Sequence, residues 1–351
     1  MRRNNYNYMI SVAYGVVHAL IDCACAISVF GGIRYSFSID DFVFLVVMYN
    51  LIAFVMQPLI GVCLDRYKKY RVFAIVGCVL VVFGACITFT GWISIVVFAL
   101  GNALFHVAAG SVCLALHKGK TVFAGIFVAP GDVGLVVGTL IGKNFIISPI
   151  MISILIVAFF ISMLLISIIE KKYKPRENNE TADCNGENSI LPRLAIVLLC
   201  IVIAVRAFIG SAVSFTWVEG ITLAIILSVF ISAGKAAGGI LADRLGRKTT
   251  GVPALLISAP LLAFFHSNIV VSLIGIFIFN MTMPLTMTAI YDKMPEYPAF
   301  SFGIAAMALI PGFYAGGAVD INRTALSSMI IVAAIVLYFS LSLSKRRRCE
   351  S

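Results

Sequence analysis

Charge is scarce in this chain of 351 residues: 12% are Asp, Glu, Lys or Arg, and 61% are hydrophobic. The mean hydropathy is +1.04. A soluble globular protein has about a quarter of its residues charged, so that class is excluded. A helix needs about 20 apolar residues to cross a bilayer, so twelve crossings use most of the chain and leave no room for a soluble catalytic domain. The composition predicts an all-α integral membrane protein.

The sequence also lacks the common patterns of catalytic and cofactor sites. No Gly-rich Lys loop is present to cradle the phosphates of ATP. No Ser/His/Asp, clustered His or paired Cys arrangement stands at a water boundary, which argues against an enzyme. Seven of the nine Cys lie in apolar runs, so no disulfide framework is indicated. Cys23 and Cys25 point to opposite sides of a helix. We predict no catalytic residue, no metal and no cofactor.

The charge that is present is mostly positive and lies on one side of the membrane. Alternating the loops across the bilayer places 21 of the 26 Lys and Arg on one side. The other side receives three, and Arg206 and Lys235 fall within spans. Under the positive-inside rule the basic side is cytoplasmic and holds both termini. We therefore predict a multi-pass protein of the cell inner membrane, with the bilayer and not nucleic acid as its partner.

Twelve apolar runs predict twelve spans, and one long polar segment separates the sixth from the seventh. This segment, 170–190, is predicted to be a cytoplasmic linker between an N-terminal bundle (1–169) and a C-terminal bundle (191–351). The predicted spans are 9–30, 42–63, 71–90, 92–115, 121–142, 147–169, 191–213, 217–241, 251–267, 269–290, 298–319 and 325–343.

A short polar motif occurs twice, half a chain apart. The stretch 238–248 reads Gly-Gly-Ile-Leu-Ala-Asp-Arg-Leu-Gly-Arg-Lys, and 61–71 repeats its Gly, Asp and Arg 178 residues earlier. Lys68 stands where the later copy has Gly246. A second echo pairs Pro130-Gly131 with Pro311-Gly312, where a bent helix must face protein or a wet cavity. Such spacing indicates a duplicated unit.

These stretches resemble the cytoplasmic loop motif of the major facilitator superfamily, which follows the second and the eighth span. The resemblance implies twelve transmembrane helices in two six-helix pseudo-repeats and transport by alternating access. It also implies that the motif residues form a cytoplasmic gate between the two halves. The gating residues predicted in this way are Gly61, Asp65, Arg66, Gly239, Asp243, Arg244 and Arg247.

Four charged residues fall near the middle of predicted spans, each at a cost of about 2.5–3.5 kcal/mol on insertion scales. They are Asp22, Asp132, Arg206 and Lys235. His18 and Asp22 are neighbours on one helix face and can exchange protons, or they form a purely structural hydrogen bond. Arg206 either binds an anion or neutralises an Asp. Lys235 lies two turns from Asp243 and could snorkel toward the cytoplasm or take part in a gate, and it is interpreted as structural. We predict proton coupling by Asp22, His18, Asp132 and His106, and substrate binding by Arg206, Asn280, Asn50 and Gln57.

Three short islands resemble the fosmidomycin-resistance branch of the superfamily, namely 17–22, 103–110 and 205–210 with Phe215. The resemblance implies export of a small anionic compound against protons, with roles for His18, Asp22, His106 and Arg206. The prediction is a monomeric secondary transporter that is proton-coupled and exports a small polar or anionic solute. The alternatives are a proton-coupled importer or facilitator, and a non-transporting membrane sensor or scaffold.

Overall fold

The computed structural model describes residues 2–172 and 190–343, and every regular element in those ranges is helical. Most of the predicted linker and the basic tail at 345–348 lie outside the described residues. Twelve helical segments run through the described ranges, as the sequence predicts. They are α1 (Asn5–Ser36), α2 (Ile39–Tyr67), α3 (Tyr70–Cys86), α4 (Trp92–Ala115), α5 (Thr121–Asn144), α6 (Pro149–Lys172), α7 (Ile190–Ala212), α8 (Gly220–Leu245), α9 (Arg247–Phe264), α10 (Ile269–Tyr291), α11 (Pro298–Ala318) and α12 (Arg323–Ser342).

Ten of these segments are long and apolar enough to cross a membrane, counted over the described ranges. The other two are α3, an apolar helix of 17 residues, and α9, which opens on Arg247 and Lys248. The predicted boundaries of the eighth and ninth spans, 217–241 and 251–267, are wrong by several residues. Both helices continue into the polar motif because their backbone hydrogen bonds do not depend on apolar side chains. A single residue, Gly246, separates them.

The turn after each motif uses a left-handed backbone, but the two turns differ. Gly246 has φ +97° and ψ 148°, a region essentially restricted to Gly. Lys68, at the equivalent place, has φ 54° and ψ 23°, a left-handed conformation that residues other than Gly adopt at a smaller cost.

Because its backbone conformation is essentially restricted to Gly, Gly246→Ala should lower the free energy of unfolding by about 1–3 kcal/mol. Lys68→Gly should be neutral or slightly stabilising. Thermal unfolding of the two purified variants checks this difference, and equal melting shifts would contradict it.

The two Pro-Gly sites deform their helices unequally. α5 continues through Pro130, whereas α11 is interrupted at Ala308 between its parts Pro298–Met307 and Leu309–Ala318. Pro311 has no N–H for the carbonyl of Met307, and its ring crowds that carbonyl, so the break falls where a hydrogen bond is lost. Pro130 removes the same kind of bond within α5 without interrupting the helix.

Within each half, the first and fifth helices pack backbone against backbone. A Cβ on Gly134 or Gly138 of α5 would overlap the carbonyl of Ala19 or Cys23 in α1. In the second half, Gly312 and Gly316 of α11 meet Ala204 and Phe208 of α7 in the same way. The matching contacts confirm that both halves are built on one helical plan.

The halves meet along two seams, one between α2 and α11 and the other between α5 and α8. Some helices carry large exposed apolar side chains on their outer face. On α6, Ile150, Ile154 and Phe160 are 73%, 62% and 69% exposed. Such a face is stable only against an apolar solvent.

Candidate functional site

Asp65, in the first motif, caps a helix of the opposite half. Its two carboxylate oxygens accept hydrogen bonds from the backbone N–H groups of Ala299 and Phe300, at 2.9 and 2.8 Å. The hydroxyl of Tyr70 donates a third bond at 3.0 Å. These amides open α11, where unsatisfied N–H groups and the helix dipole favour an anion.

Asp243, in the second motif, makes the same contact in the other direction. Its carboxylate accepts from the backbone N–H groups of Thr121 and Val122, which open α5, at 2.9 and 3.1 Å. Both partners are displaced by 178 residues from those of Asp65. The duplicated motif therefore ties each half to the other at one end of the bundle, which we call the motif side.

The motif glycines allow the backbones to approach at this point. A Cβ on Gly61 would lie 2.6 Å from the carbonyl oxygen of Ala299. A Cβ on Gly239 would lie 2.9 Å from that of Thr121. Small residues of this kind are what close helix crossings require.

The three motif arginines are placed differently. Arg247 donates from Nε to the Thr121 hydroxyl at 2.9 Å and from Nη2 to the carbonyl of Gly119 at 3.0 Å, and it forms an ion pair with Asp292. It therefore ties α9 to the start of α5. Arg66 and Arg244 are exposed and make no hydrogen bond or ion pair with other described residues. Their predicted gating role has no contact here to support it.

Asp65 should be the stronger of the two caps because it is 6% exposed, whereas Asp243 lies on the surface. Asn keeps one acceptor and turns an NH₂ group toward an amide donor. Asp65→Asn should therefore weaken motif-side closure by about 1.5–3 kcal/mol, the range for hydrogen bonds to charged groups. Asp243→Asn should act in the same direction by less, since water screens it. Motif-side accessibility to a thiol reagent, measured at single introduced cysteines, checks the order; a larger effect from Asp243→Asn would contradict it.

Three of the predicted proton-coupling residues converge in the N-terminal half and form a triad. Asp22 of α1 lies between two imidazoles: His18 Nε2 is 3.1 Å from one carboxylate oxygen, and His106 Nε2 is 3.4 Å from the other. The two rings meet edge to face at 4.5 Å between centroids. Gly131 of α5 packs on this group, since a Cβ there would lie 2.8 Å from Asp22 Oδ2.

The hydrogen bonds around the triad determine how many protons it needs. Nδ1 of His18 lies 2.9 Å from the carbonyl of Phe127, and Nδ1 of His106 lies 2.8 Å from that of Asn102. A carbonyl only accepts, so both Nδ1 atoms carry hydrogen. Each Nε2 of a neutral ring is then an acceptor facing another acceptor, the ionised carboxylate. At least one further proton must lie between Asp22 and a ring, and two satisfy both contacts.

The triad is also the one group of three potential metal-ligating side chains found among the described residues, with ligand atoms within 4.8 Å of one another. The sequence predicts no metal. The proton requirement accounts for this geometry by itself.

The fourth predicted proton-coupling residue, Asp132, lies elsewhere and has a partner that the sequence did not indicate. Its Oδ2 is 2.5 Å from Lys235 Nζ. This ion pair joins α5 to α8 and therefore crosses between the halves. The sequence could place both charges within spans, but their pairing needed the fold.

Arg206 is buried, at 5% exposure, and is not ion-paired within the part of the chain described. Its guanidinium carbon lies 5.2 Å from the centroid of the Phe279 ring, and its Nε has no hydrogen-bond partner. Asp22 and Asp132 are engaged with other groups, so neither supplies the neutralising contact considered from the sequence. An unsatisfied buried guanidinium is suited to bind an anion.

The remaining predicted substrate-binding residues make mostly local contacts. Asn280 and Gln57 donate to carbonyls of their own helices, those of Ile276 and Ala53, both at 2.8 Å. Asn50 donates to the hydroxyl of Tyr314 at 3.2 Å, from α2 to α11.

Sequence reasoning missed several polar partners near these sites. Asn102 donates to the Tyr49 hydroxyl at 3.0 Å, and Asp292 pairs with Arg247. An amide within a predicted span was the available signal for Asn102. No feature of the sequence distinguished Tyr49 or Tyr314, the partners of Asn102 and Asn50, because aromatic residues are common throughout the chain.

The comparisons with known proteins agree with this architecture. The family model described as the Major Facilitator Superfamily matches residues 11–316. The chain is similar to the transporter FucP in its outward conformation, with 14% identity, a TM-score of 0.67, and coverage of 97% of this chain and 99% of that chain. It is also similar to a variant of the E. coli fucose:proton symporter FucP, with 15% identity, a TM-score of 0.64, and coverage of 97% and 100%. No curated protein matches the sequence.

At these identities the solved structures show the fold alone, and the fosmidomycin-resistance branch stays a prediction of the sequence. The family model, however, spans most of the chain and includes both motif copies. This multi-pass membrane protein therefore belongs to the Major Facilitator Superfamily and has the fold of its secondary transporters.

Proposed function

We propose that this protein is a proton-coupled secondary transporter that exports a small polar or anionic solute by alternating access. The observation that carries the proposal is the hydrogen-bond pattern of the triad, which needs at least one labile proton at Asp22. Removing that proton leaves the carboxylate facing two imidazole lone pairs, which is unfavourable in a low-dielectric site. Proton loss and a local rearrangement are therefore linked.

The motif side is assigned to the cytoplasm, in agreement with the excess of Lys and Arg predicted there. The motif-side parts of α2 and α11 contact each other far more extensively than their opposite parts do, and the motif-side part of α10 contacts α5. This distribution supports an outward-facing conformation, which is also the state of one of the similar FucP structures. In that state Asp22 is reached from outside, since its side chain is 19% exposed.

The solute site is placed at Arg206, in α7. The glycine contacts align Ala204 of α7 with Ala19 of α1, so Arg206 occupies the register of Ile21, next to that of Asp22. Arg206 thus has nearly the same register in its half as Asp22 has in the other. Solute binding at Arg206 and proton binding at Asp22 would each bias the same equilibrium between the two orientations of the halves, which is what coupling requires.

Flux across proteoliposomes tests the proposal. Purified protein is reconstituted with an imposed pH gradient, small anions and neutral polar solutes are screened, and a protonophore removes the gradient in the control. We expect a solute to move against its concentration gradient and opposite to the proton flux, and to equilibrate when the protonophore is added. Movement in the same direction as protons would instead support symport, as in the E. coli fucose:proton symporter. Absence of flux across the screen, with a folded protein, would favour the sensor or scaffold.

A further inference from the structure

The α5–α8 seam carries a charge contact at depth that its symmetry equivalent lacks. Along α8, Lys235, Gly239 and Asp243 follow one another at one-turn spacing and face α5. Asp243 holds the start of α5, and Gly239 lies against Thr121. Lys235 lies two helical turns from Asp243, further into the bundle, and forms an ion pair with Asp132. The ion pair therefore extends motif-side closure toward the middle of the bundle.

The α2–α11 seam has the same backbone register but no charges at this depth. Gly303 lies against the carbonyl of Gln57, as Gly125 lies against that of Lys235, and both residues are again displaced by 178. Gln57 is thus the equivalent of Lys235. The equivalent of Asp132 is Ile310. Gln57 donates to its own helix, and its other amide atom, Oε1, has no hydrogen-bond partner.

The two seams should consequently differ in what their separation costs. The side chains of Lys235 and Asp132 are 8% and 25% exposed, so their attraction is only weakly screened. Pulling the seam apart leaves a cation and a carboxylate without each other inside the membrane, where removing one partner of a buried pair is strongly unfavourable. Separating Gln57 from α11 breaks no hydrogen bond between the halves among those described.

We propose that the Lys235–Asp132 ion pair is a one-sided lock that holds the halves closed on the motif side, with Lys235 acting as a positioning residue for Asp132. The inference rests on the proposed alternating-access function. It gives Asp132 a conformational role in addition to the one predicted from the sequence, and it makes Lys235 part of the transport cycle. The lock is specific to the α5–α8 seam, and its effect depends on charge and not on side-chain volume.

Electron–electron distance measurements test the lock on the full chain in a background in which the nine native cysteines are replaced. Spin labels at Tyr67→Cys and Leu245→Cys, which are exposed and equivalent in the repeat, report separation on the motif side. Labels at Ile146→Cys and Val319→Cys report the opposite side. Lys235→Gln should raise the population with a long motif-side distance by about tenfold, within the usual range of coupling energies. Asp132→Asn should do the same.

The matched control is Ile310→Leu, which alters the equivalent of Asp132 in the other seam and should leave both distance distributions unchanged. The exchanged pair, Asp132→Lys with Lys235→Asp, should restore the short motif-side distance, which a role in packing alone would not predict. If Asp65→Asn with Asp243→Asn opens the motif side but Lys235→Gln does not, the lock is overturned and alternating access stands. If no variant changes either distance, both proposals fail. If Ile310→Leu opens the protein as much as Asp132→Asn, the one-sided lock is also overturned.

Discussion

Asp22→Asn is expected to abolish proton-driven transport while leaving exchange of solute across the membrane. Asn can donate from its amide to one imidazole, and its oxygen can accept from the other when that ring is protonated, but Asn itself cannot release a proton. The proposed coupling to one proton would support about a tenfold solute gradient for each unit of pH difference, because a factor of ten corresponds to about 1.4 kcal/mol. In Asp22→Asn we expect no solute gradient at any imposed pH difference.

Steady-state solute gradients in proteoliposomes, measured at several imposed pH differences, check the expectation. Counterflow of labelled solute, with no pH gradient, shows whether binding and the conformational cycle survive. Asp320→Asn is a suitable control, since this exposed carboxylate lies in the turn before α12 and outside the triad. Full pH-driven accumulation in Asp22→Asn would show that the coupling proton is carried elsewhere. Asp132 would then be the next residue to examine.

Arg206→Gln is expected to weaken binding of an anionic solute by about 2–5 kcal/mol, the usual cost of truncating one partner of a buried charged contact. The buried guanidinium has an Nε without a hydrogen-bond partner and forms no ion pair among the described residues, so a solute anion could make the direct contact that Asp132, which pairs with Lys235, does not. Arg206→Lys keeps the charge but loses the planar two-pronged contact, and should retain part of the affinity. Phe279→Leu, which removes the facing ring, should have a smaller effect, about 0.5–2 kcal/mol.

Equilibrium binding of the solute found in the flux screen, in detergent or nanodiscs, measures these differences. Arg323→Gln serves as the control because it removes an exposed Arg at the start of α12. The double variant Asp22→Asn with Arg206→Gln separates this proposal from simple neutralisation. If Arg206 served only to neutralise Asp22, the double variant would regain pH-coupled transport. The structure gives Asp22 two imidazole partners instead, so we expect no recovery.

The sequence could predict the features that depend on local pattern and repetition. Apolar runs located the twelve helices, because a crossing helix requires that length. The spacing of Gly61 and Asp65, repeated at Gly239 and Asp243, placed the motif at equivalent helix ends. The caps that Asp65 and Asp243 form on α11 and α5 lie between the two halves, where the resemblance implies a gate. A pattern that recurs at a fixed offset carries tertiary information, since both copies must satisfy the same contact.

Contacts between distant segments were less predictable. The relation between His18 and Asp22 follows from one helical turn, but the approach of His106 depends on how α4 packs against α1. Nothing in the sequence connects Lys235 to Asp132, 103 residues earlier, so their ion pair could not be predicted. The motif resemblance also assigned similar roles to Arg66 and Arg247, and only Arg247 has a partner among the described residues. Side-chain pairing of this kind is set by helix rotation, which apolar periodicity determines only coarsely.

The glycine contacts between α1 and α5 have a mechanical consequence. Where backbone touches backbone, no flexible side chain is available to absorb a displacement, so the two helices resist sliding and move as one rigid unit. Asp22 and Asp132 both belong to this rigid unit, Asp22 in α1 and Asp132 in α5. The distance between Asp22 and Asp132 should stay nearly constant during transport, while the distance between α5 and α8 changes. Any displacement of this rigid unit therefore moves Asp22 and Asp132 together, and with Asp132 one end of the Lys235–Asp132 ion pair.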